Sequence, residues 1–251
     1  MLHGNGGANA RFERFVDKVQ SEQVNFEVVL PQLPGFEGRP LPKAKDQWLP
    51  FLEALSTTVE QSPEAEWIFY GHGIGGSILM EWAARDWQGS IANNIKPKAV
   101  ILHSCIGASL KERFFPKLMK PMPMRLLIKK MIGASFLQPF WERKLFLFPD
   151  RIPAYLRKQF FEDYRRCAAF TTFFDLITPP WYDIVQQQLK NQPFHFMWGN
   201  KERVVASKYL DLWKADFPKS EFHLVKDWDH FPMLEQVDSF YGEMVQLIDR
   251  L

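Results

Sequence analysis

The sequence predicts an α/β fold: a mostly parallel sheet with helices on both faces, and a helical insertion between two of its strands. Three observations carry that expectation. Short apolar runs alternate with stretches of helical spacing along most of the 251 residues, the pattern of helices covering a parallel sheet. The run Trp67-Ile68-Phe69-Tyr70 passes through GHGIGG at 71–76 directly into a helical stretch. The alternation then stops between about Ser109 and Lys190, where no strand pattern is found. With 46% hydrophobic residues the chain can bury one substantial core, so one domain with an insertion is expected rather than two independent units.

Each element follows from its local pattern. Five runs read as strands: Phe26–Leu30, Trp67–Tyr70, Ala99–His103, Phe194–Trp198 and Glu221–Val225. All are short, apolar and rich in β-branched or aromatic residues. Five stretches place apolar residues three and four apart and read as helices: Ala10–Val19, Trp48–Gln61, Ser77–Trp87, Lys208–Asp216 and Met233–Arg250. Residues 1–108 and 191–251 then form the core, and 109–190 a helical cap over the carboxyl ends of the strands, where insertions shape pockets.

Charge and cysteine content exclude several function classes. Lys plus Arg is 31 against 29 for Asp plus Glu, a formal net charge of +2, so no overall field marks a nucleic-acid binder. Cys105 and Cys167 lie far apart, and the chain opens without a basic segment followed by an apolar one. Neither a disulfide framework nor a secretion signal is indicated, and a cytoplasmic setting is expected. No run of about 18 apolar residues spans a membrane. Nothing calls for a metal or a cofactor, and the oligomeric state is left open.

Motifs cluster at the loops after the strands. The turn at 71–76 has the strand–turn–helix setting in which G-x-S-x-G raises a serine above a sheet, but Gly73 holds the serine's place. His3-Gly4-Asn5-Gly6-Gly7 is a glycine-rich turn able to offer backbone N–H groups to a developing negative charge. Glu202 follows the strand FHFMW, where an acid orienting a histidine belongs, and His230 follows EFHLV, where a general base belongs.

Taken in order, LHGNGG, LPGFEGRP, GHGIGG, MWGNKE and DHFPMLE resemble the α/β-hydrolase superfamily from His3 to the C-terminus, in particular its small esterases, C–C hydrolases and the related menaquinone-pathway lyase with a helical cap. The resemblance places the nucleophile on Gly73, the acid on Glu202, the base on His230, and the oxyanion donors on the backbone of Asn5 and Ile74, beside Gly4. It implies a small lipophilic carbonyl or ester-type substrate. Gly73 leaves three readings open: a non-covalent activity run by His230 and Glu202, a catalytically inactive binding protein, and an engineered serine replacement, for which alanine is the more usual choice. Ser77, Ser104 and Cys105 are the side chains nearest in sequence to a displaced nucleophile. His72, His103, His195 and His223 read as locally packed or core histidines.

A second departure from the family concerns the start. The strand ending in the HG turn lies, in this fold, between those corresponding to FEVVL and WIFY, and only Met1 and Leu2 remain of it. An empty lane inside a sheet leaves unpaired backbone groups at about 1 to 3 kcal/mol each, so the expectation is that the polypeptide begins upstream and Met1 is an internal methionine. The insertion is also distinctive. From 111 to 166 it carries fourteen Lys and Arg against five Asp and Glu, interleaved with Phe, Leu and Met. Such an amphipathic basic surface is suited to peripheral contact with anionic lipid or to an acidic lipophilic ligand, and a solvated cap with an apolar underside is the plainer alternative.

Overall fold

The computed structural model describes residues 1–22, 24–86 and 96–251. Its sheet has four strands, β1 (Ile68–His72), β2 (Ala99–His103), β3 (His195–Gly199) and β4 (Glu221–Val225), all parallel and in that spatial order. β1, β2 and β3 are almost entirely buried, as apolar runs without alternation require. β4 ends the sheet and is exposed at Glu221 and Leu224.

Helices α1 (Glu13–Ser21) and α2 (Leu49–Glu60) precede the sheet, and α3 (Ile74–Asp86) follows β1. Between β2 and β3 come α4 (Phe114–Leu118), α5 (Met122–Ile132), α6 (Gln138–Leu145), α7 (Ala154–Arg166), α8 (Phe173–Leu176) and α9 (Pro179–Leu189). After β3 come α10 (Leu210–Asp216), α11 (Pro232–Glu235) and α12 (Val237–Ile248). Consecutive side chains of β1 point to opposite faces, and each meets a different helix. The Phe69 ring packs on Trp82 of α3 at 5.2 Å, and the Tyr70 ring on Phe240 of α12 at 5.7 Å. Helices therefore cover both faces of the sheet.

The strand expected over Phe26–Leu30 does not form. Its residues alternate between half-buried and exposed, as a strand would, but they pair with no ladder. A strand is a property of a pair, and the neighbour here is one residue long. Leu2 makes an isolated parallel bridge to Gly71, with its N–H donating to the Tyr70 carbonyl at 2.8 Å and its own carbonyl accepting from His72 at 2.9 Å. On the other side the Met1 amino group donates to the Val29 carbonyl at 2.6 Å. Between β1 and this extended segment lies a cavity of ≈ 630 Å³, walled by Leu2, Val28, Val29, Phe69 and Tyr70 among others.

Other boundaries shift for local reasons. β1 runs on through Gly71 and His72 and omits Trp67, so two of the turn's residues belong to the strand. α3 begins three residues earlier than expected, at Ile74, and the expected end at Trp87 lies outside the described residues. The helix expected over Met233–Arg250 is broken at Gln236 into α11 and α12. The segment between β2 and β3 is helical without a strand among the described residues. Arg125, counted among the surface cations, is instead buried and braces that segment, donating to the carbonyls of Met119, Lys120 and Thr171 and to Asp175. His195 and His223 are half-buried near the sheet's edge rather than core residues. No helix among the described residues is long and apolar enough to cross a membrane.

Candidate functional site

The turn after β1 is as tight as its sequence requires. A Cβ on Gly71 would stand 2.5 Å from the Gly76 nitrogen, one on Gly75 2.6 Å from the Leu2 carbonyl oxygen, and one on Gly76 2.7 Å from Cys105 Cβ. Those three positions admit only glycine without rearrangement. Gly73, at the apex, differs from them. It adopts φ +56°, and a Cβ there would meet nothing closer than Gly4 Cα at 3.5 Å, an ordinary contact. The missing side chain is thus a property of the sequence and not of the space available.

Around that apex the structure gathers the sequence-predicted residues. Gly4, Asn5, Gly73, Ile74 and His230 all line one cavity of ≈ 960 Å³, which the helical segment closes with Leu110, Ile128, Trp141, Phe173 and Phe174 among others. Its size is near the upper end for small-molecule pockets. Ile74 opens α3, so its amide is one of the first-turn donors without an intrahelical acceptor. Asn5 anchors its turn through its side chain, whose Oδ1 accepts from the Gly6 N–H at 2.9 Å and whose Nδ2 donates to the Phe170 carbonyl at 3.1 Å.

Glu202 does not line the cavity and stands behind the histidine. His230 Nδ1 donates to its Oε2 at 2.8 Å. Both oxygens of this buried carboxylate are engaged: Oε2 also receives the Ser104 hydroxyl at 2.6 Å, and Oε1 the amides of Val204 at 2.7 Å and Val205 at 2.9 Å. Burial alone pushes the carboxyl up. The His230 charge and its hydrogen bond, with Ser104 and the Val205 amide, outweigh that and hold Glu202 below the usual carboxylate range. An ionised acid on Nδ1 fixes the imidazole as the tautomer whose Nε2 carries the lone pair.

The supporting contacts were not foreseen from sequence. Ser104 reaches Glu202 with its backbone at φ +45°, an uncommon conformation for a residue other than glycine. Asp229, also buried, accepts the N–H groups of His230 at 2.8 Å and Arg203 at 3.0 Å on one oxygen, and the Arg203 Nε at 2.5 Å on the other. It ties the histidine loop to the acid loop. The only signal in sequence was adjacency, Asp229 beside His230 and Arg203 beside Glu202. His72 donates from Nε2 to the His230 carbonyl at 2.8 Å, with ring centroids 4.4 Å apart. Burial, then the nearby His230, His103 and Arg11, drives its pKa well below the ordinary value.

The displaced-nucleophile candidates are not at the cavity wall. Ser77 Oγ donates to the Ile106 carbonyl at 3.1 Å, Ser104 serves Glu202, and Cys105 is fully buried, which drives its thiol pKa well up. Cys167 is likewise buried, and burial raises it to about 11. Among the described residues one group has ligand-like spacing for a metal, His195, Glu221 and His223. It sits where β3 and β4 begin, at the opposite end of these strands from Glu202 and His230.

Comparison with known proteins identifies the family and the fold. The pattern of the alpha/beta hydrolase family matches residues 1–242, and the chain belongs to that family. Lipase 3 of Moraxella sp. (strain TA144) is 23% identical over 262 residues, covering 94% of this chain and 72% of that protein. Among solved structures, an esterase from Exiguobacterium antarcticum superposes with a TM-score of 0.73 at 14% identity, covering 99% of this chain and 90% of its own. MenH from S. aureus superposes with a TM-score of 0.70 at 16% identity, covering 99% and 92%. At such identities the two structures speak to the fold alone. Family membership places the protein among enzymes of hydrolase type.

Proposed function

We propose that this protein acts on a small lipophilic carbonyl or ester-type compound without forming an acyl-enzyme. The observation that carries the reading is the 2.8 Å bond from His230 Nδ1 to Glu202 in a wall shared with Gly4, Asn5, Gly73 and Ile74. In the proposed step, His230 Nε2 takes a proton from a water molecule as its oxygen attacks the carbonyl carbon. The amides of Asn5 and Ile74 receive the oxyanion. His230 then returns the proton to the departing alkoxide as the C–O bond breaks, giving acid and alcohol. Likeness in sequence to Lipase 3 supports the substrate class, as does the largely apolar lining. The test is turnover of medium-chain p-nitrophenyl esters. His230→Ala is expected to lower kcat/KM at least 100-fold, since positioned acid–base catalysis contributes about 10² to 10⁴. An unchanged rate in that variant overturns the reading.

Gly73 itself favours a second reading, a ligand-binding member of the family that has no turnover. It predicts ester or acid binding in the cavity with no rate to lose in His230→Ala. The helical segment 109–190, read as the cap, adds a surface contact to either case. Leu126 and Leu127 of α5, Phe136, and Phe140 of α6 are 49 to 82% exposed, and Lys129, Lys130 and Lys144 are interleaved with them. Apolar side chains ringed by cations are suited to an anionic lipid surface.

A further inference from the structure

One side chain in the cavity is left without a function by everything above. Arg11 lines the cavity alongside Gly4 and Gly73 and is 3% exposed, yet none of its three guanidinium nitrogens has a hydrogen-bond partner. Aromatic rings take its faces: Phe160 at 4.5 Å, Phe231 at 5.2 Å and Tyr164 at 5.5 Å from Cζ to ring centroid. Stacking of this kind leaves the in-plane N–H donors free. They point beside the glycine turn, since a Cβ on Gly4 would stand 3.5 Å from Arg11 Nη1.

No carboxylate hydrogen-bonds to the guanidinium. Its charge acts on buried Asp163, whose Oδ1 accepts from Gln159, while Glu37, which also acts on Asp163, is engaged by Arg39 and the Asn9 backbone N–H. A buried cation with all donors unused is costly unless an anion meets it.

We propose that Arg11 is an anion subsite of this cavity, and that the ligand is a lipophilic compound carrying a carboxylate or phosphate whose oxygens accept from the guanidinium edge. A planar fork of N–H donors suits such oxygen pairs. The other cations of the wall are otherwise engaged or at the rim. Lys111 pairs with Asp183, Arg203 with Asp229, and Arg113 donates to the Val204 carbonyl, while Lys117 and Lys120 are exposed. The subsite rests on the reading of the cavity as the ligand site, and the experiment separates the two.

Isothermal titration of the full chain with decanoate, decyl phosphate and decan-1-ol, each below its aggregation threshold, tests it. One or both anions bind the parent protein at least about tenfold tighter than the alcohol, as a charge-assisted bond implies. Arg11→Gln loses that preference while still binding decan-1-ol, which shows that the variant is folded with its cavity intact. The tighter of the two anions names the acid group. Equal binding of anion and alcohol by the parent, or an anion preference retained in Arg11→Gln, overturns the subsite. Absence of binding by all three ligands overturns the cavity reading and the subsite with it.

Discussion

At Gly73 the backbone holds φ +56° and the nearest atom a Cβ would meet is Gly4 Cα at 3.5 Å, so the turn's apex is open where its neighbouring glycines are packed tight. Glu202 spends both oxygens on four donors, one of them a serine in a left-handed conformation. Glu202→Gln removes the charge that selects the histidine tautomer, and the expected fall in kcat approaches about 10⁴. Ser104→Ala removes one hydrogen bond to a buried charged oxygen. It is expected to cost about 1.5 to 3 kcal/mol in stability, read by urea unfolding, while leaving the histidine paired. A Ser104→Ala protein as stable as its parent would contradict a supporting role for that hydroxyl at Glu202.

Among the elements, α11 carries a group whose protonation couples to folding. Glu235 is buried, accepts from the Phe148 N–H in the helical segment, and is raised by burial to about 7, against 4.5 ordinarily. A carboxyl raised on folding adds stability below the unfolded pKa, and that stability is lost as pH rises through the folded value. Glu235→Gln is therefore expected to raise the Tm at pH 8 and to lose that advantage towards pH 4.5. An advantage that does not shrink on acidification would contradict it. α5, α6 and the turn between them present the exposed apolar set. Sedimentation with vesicles is expected to pellet the protein with anionic lipid and not with neutral lipid, and Phe136→Ser with Leu127→Ser to reduce pelleting several-fold. Equal background pelleting with both lipids excludes the surface contact.

Over the whole molecule, the parts legible in sequence were those encoded by neighbours along the chain. The turn at 71–76, the strands AVILH and EFHLV, and the order Gly73, Glu202, His230 are patterns of adjacency, and the structure brings the last two to hydrogen-bond distance. Properties needing a distant partner were not legible. Phe26–Leu30 has the alternation of a strand but only the short Met1–Leu2 stretch beside it, and Ser104, Asp229 and Arg11 take their significance from residues far off in sequence, Glu202, Arg203 and the rings of Phe160, Tyr164 and Phe231. Arg125 reads as a surface cation on composition and proves to be a brace because four acceptors converge on it. The proposed function joins these scales through the convergence of His230 and the amides of Asn5 and Ile74 on the space above Gly73, four residues that line one cavity. Labelling with a fluorophosphonate, read by intact mass, tests that convergence most directly. No adduct is expected on the parent protein, one stoichiometric adduct on Gly73→Ser, and at least about 100-fold slower labelling when His230→Ala is added. A Gly73→Ser protein that is folded yet unlabelled, or labelled equally fast without His230, would contradict it.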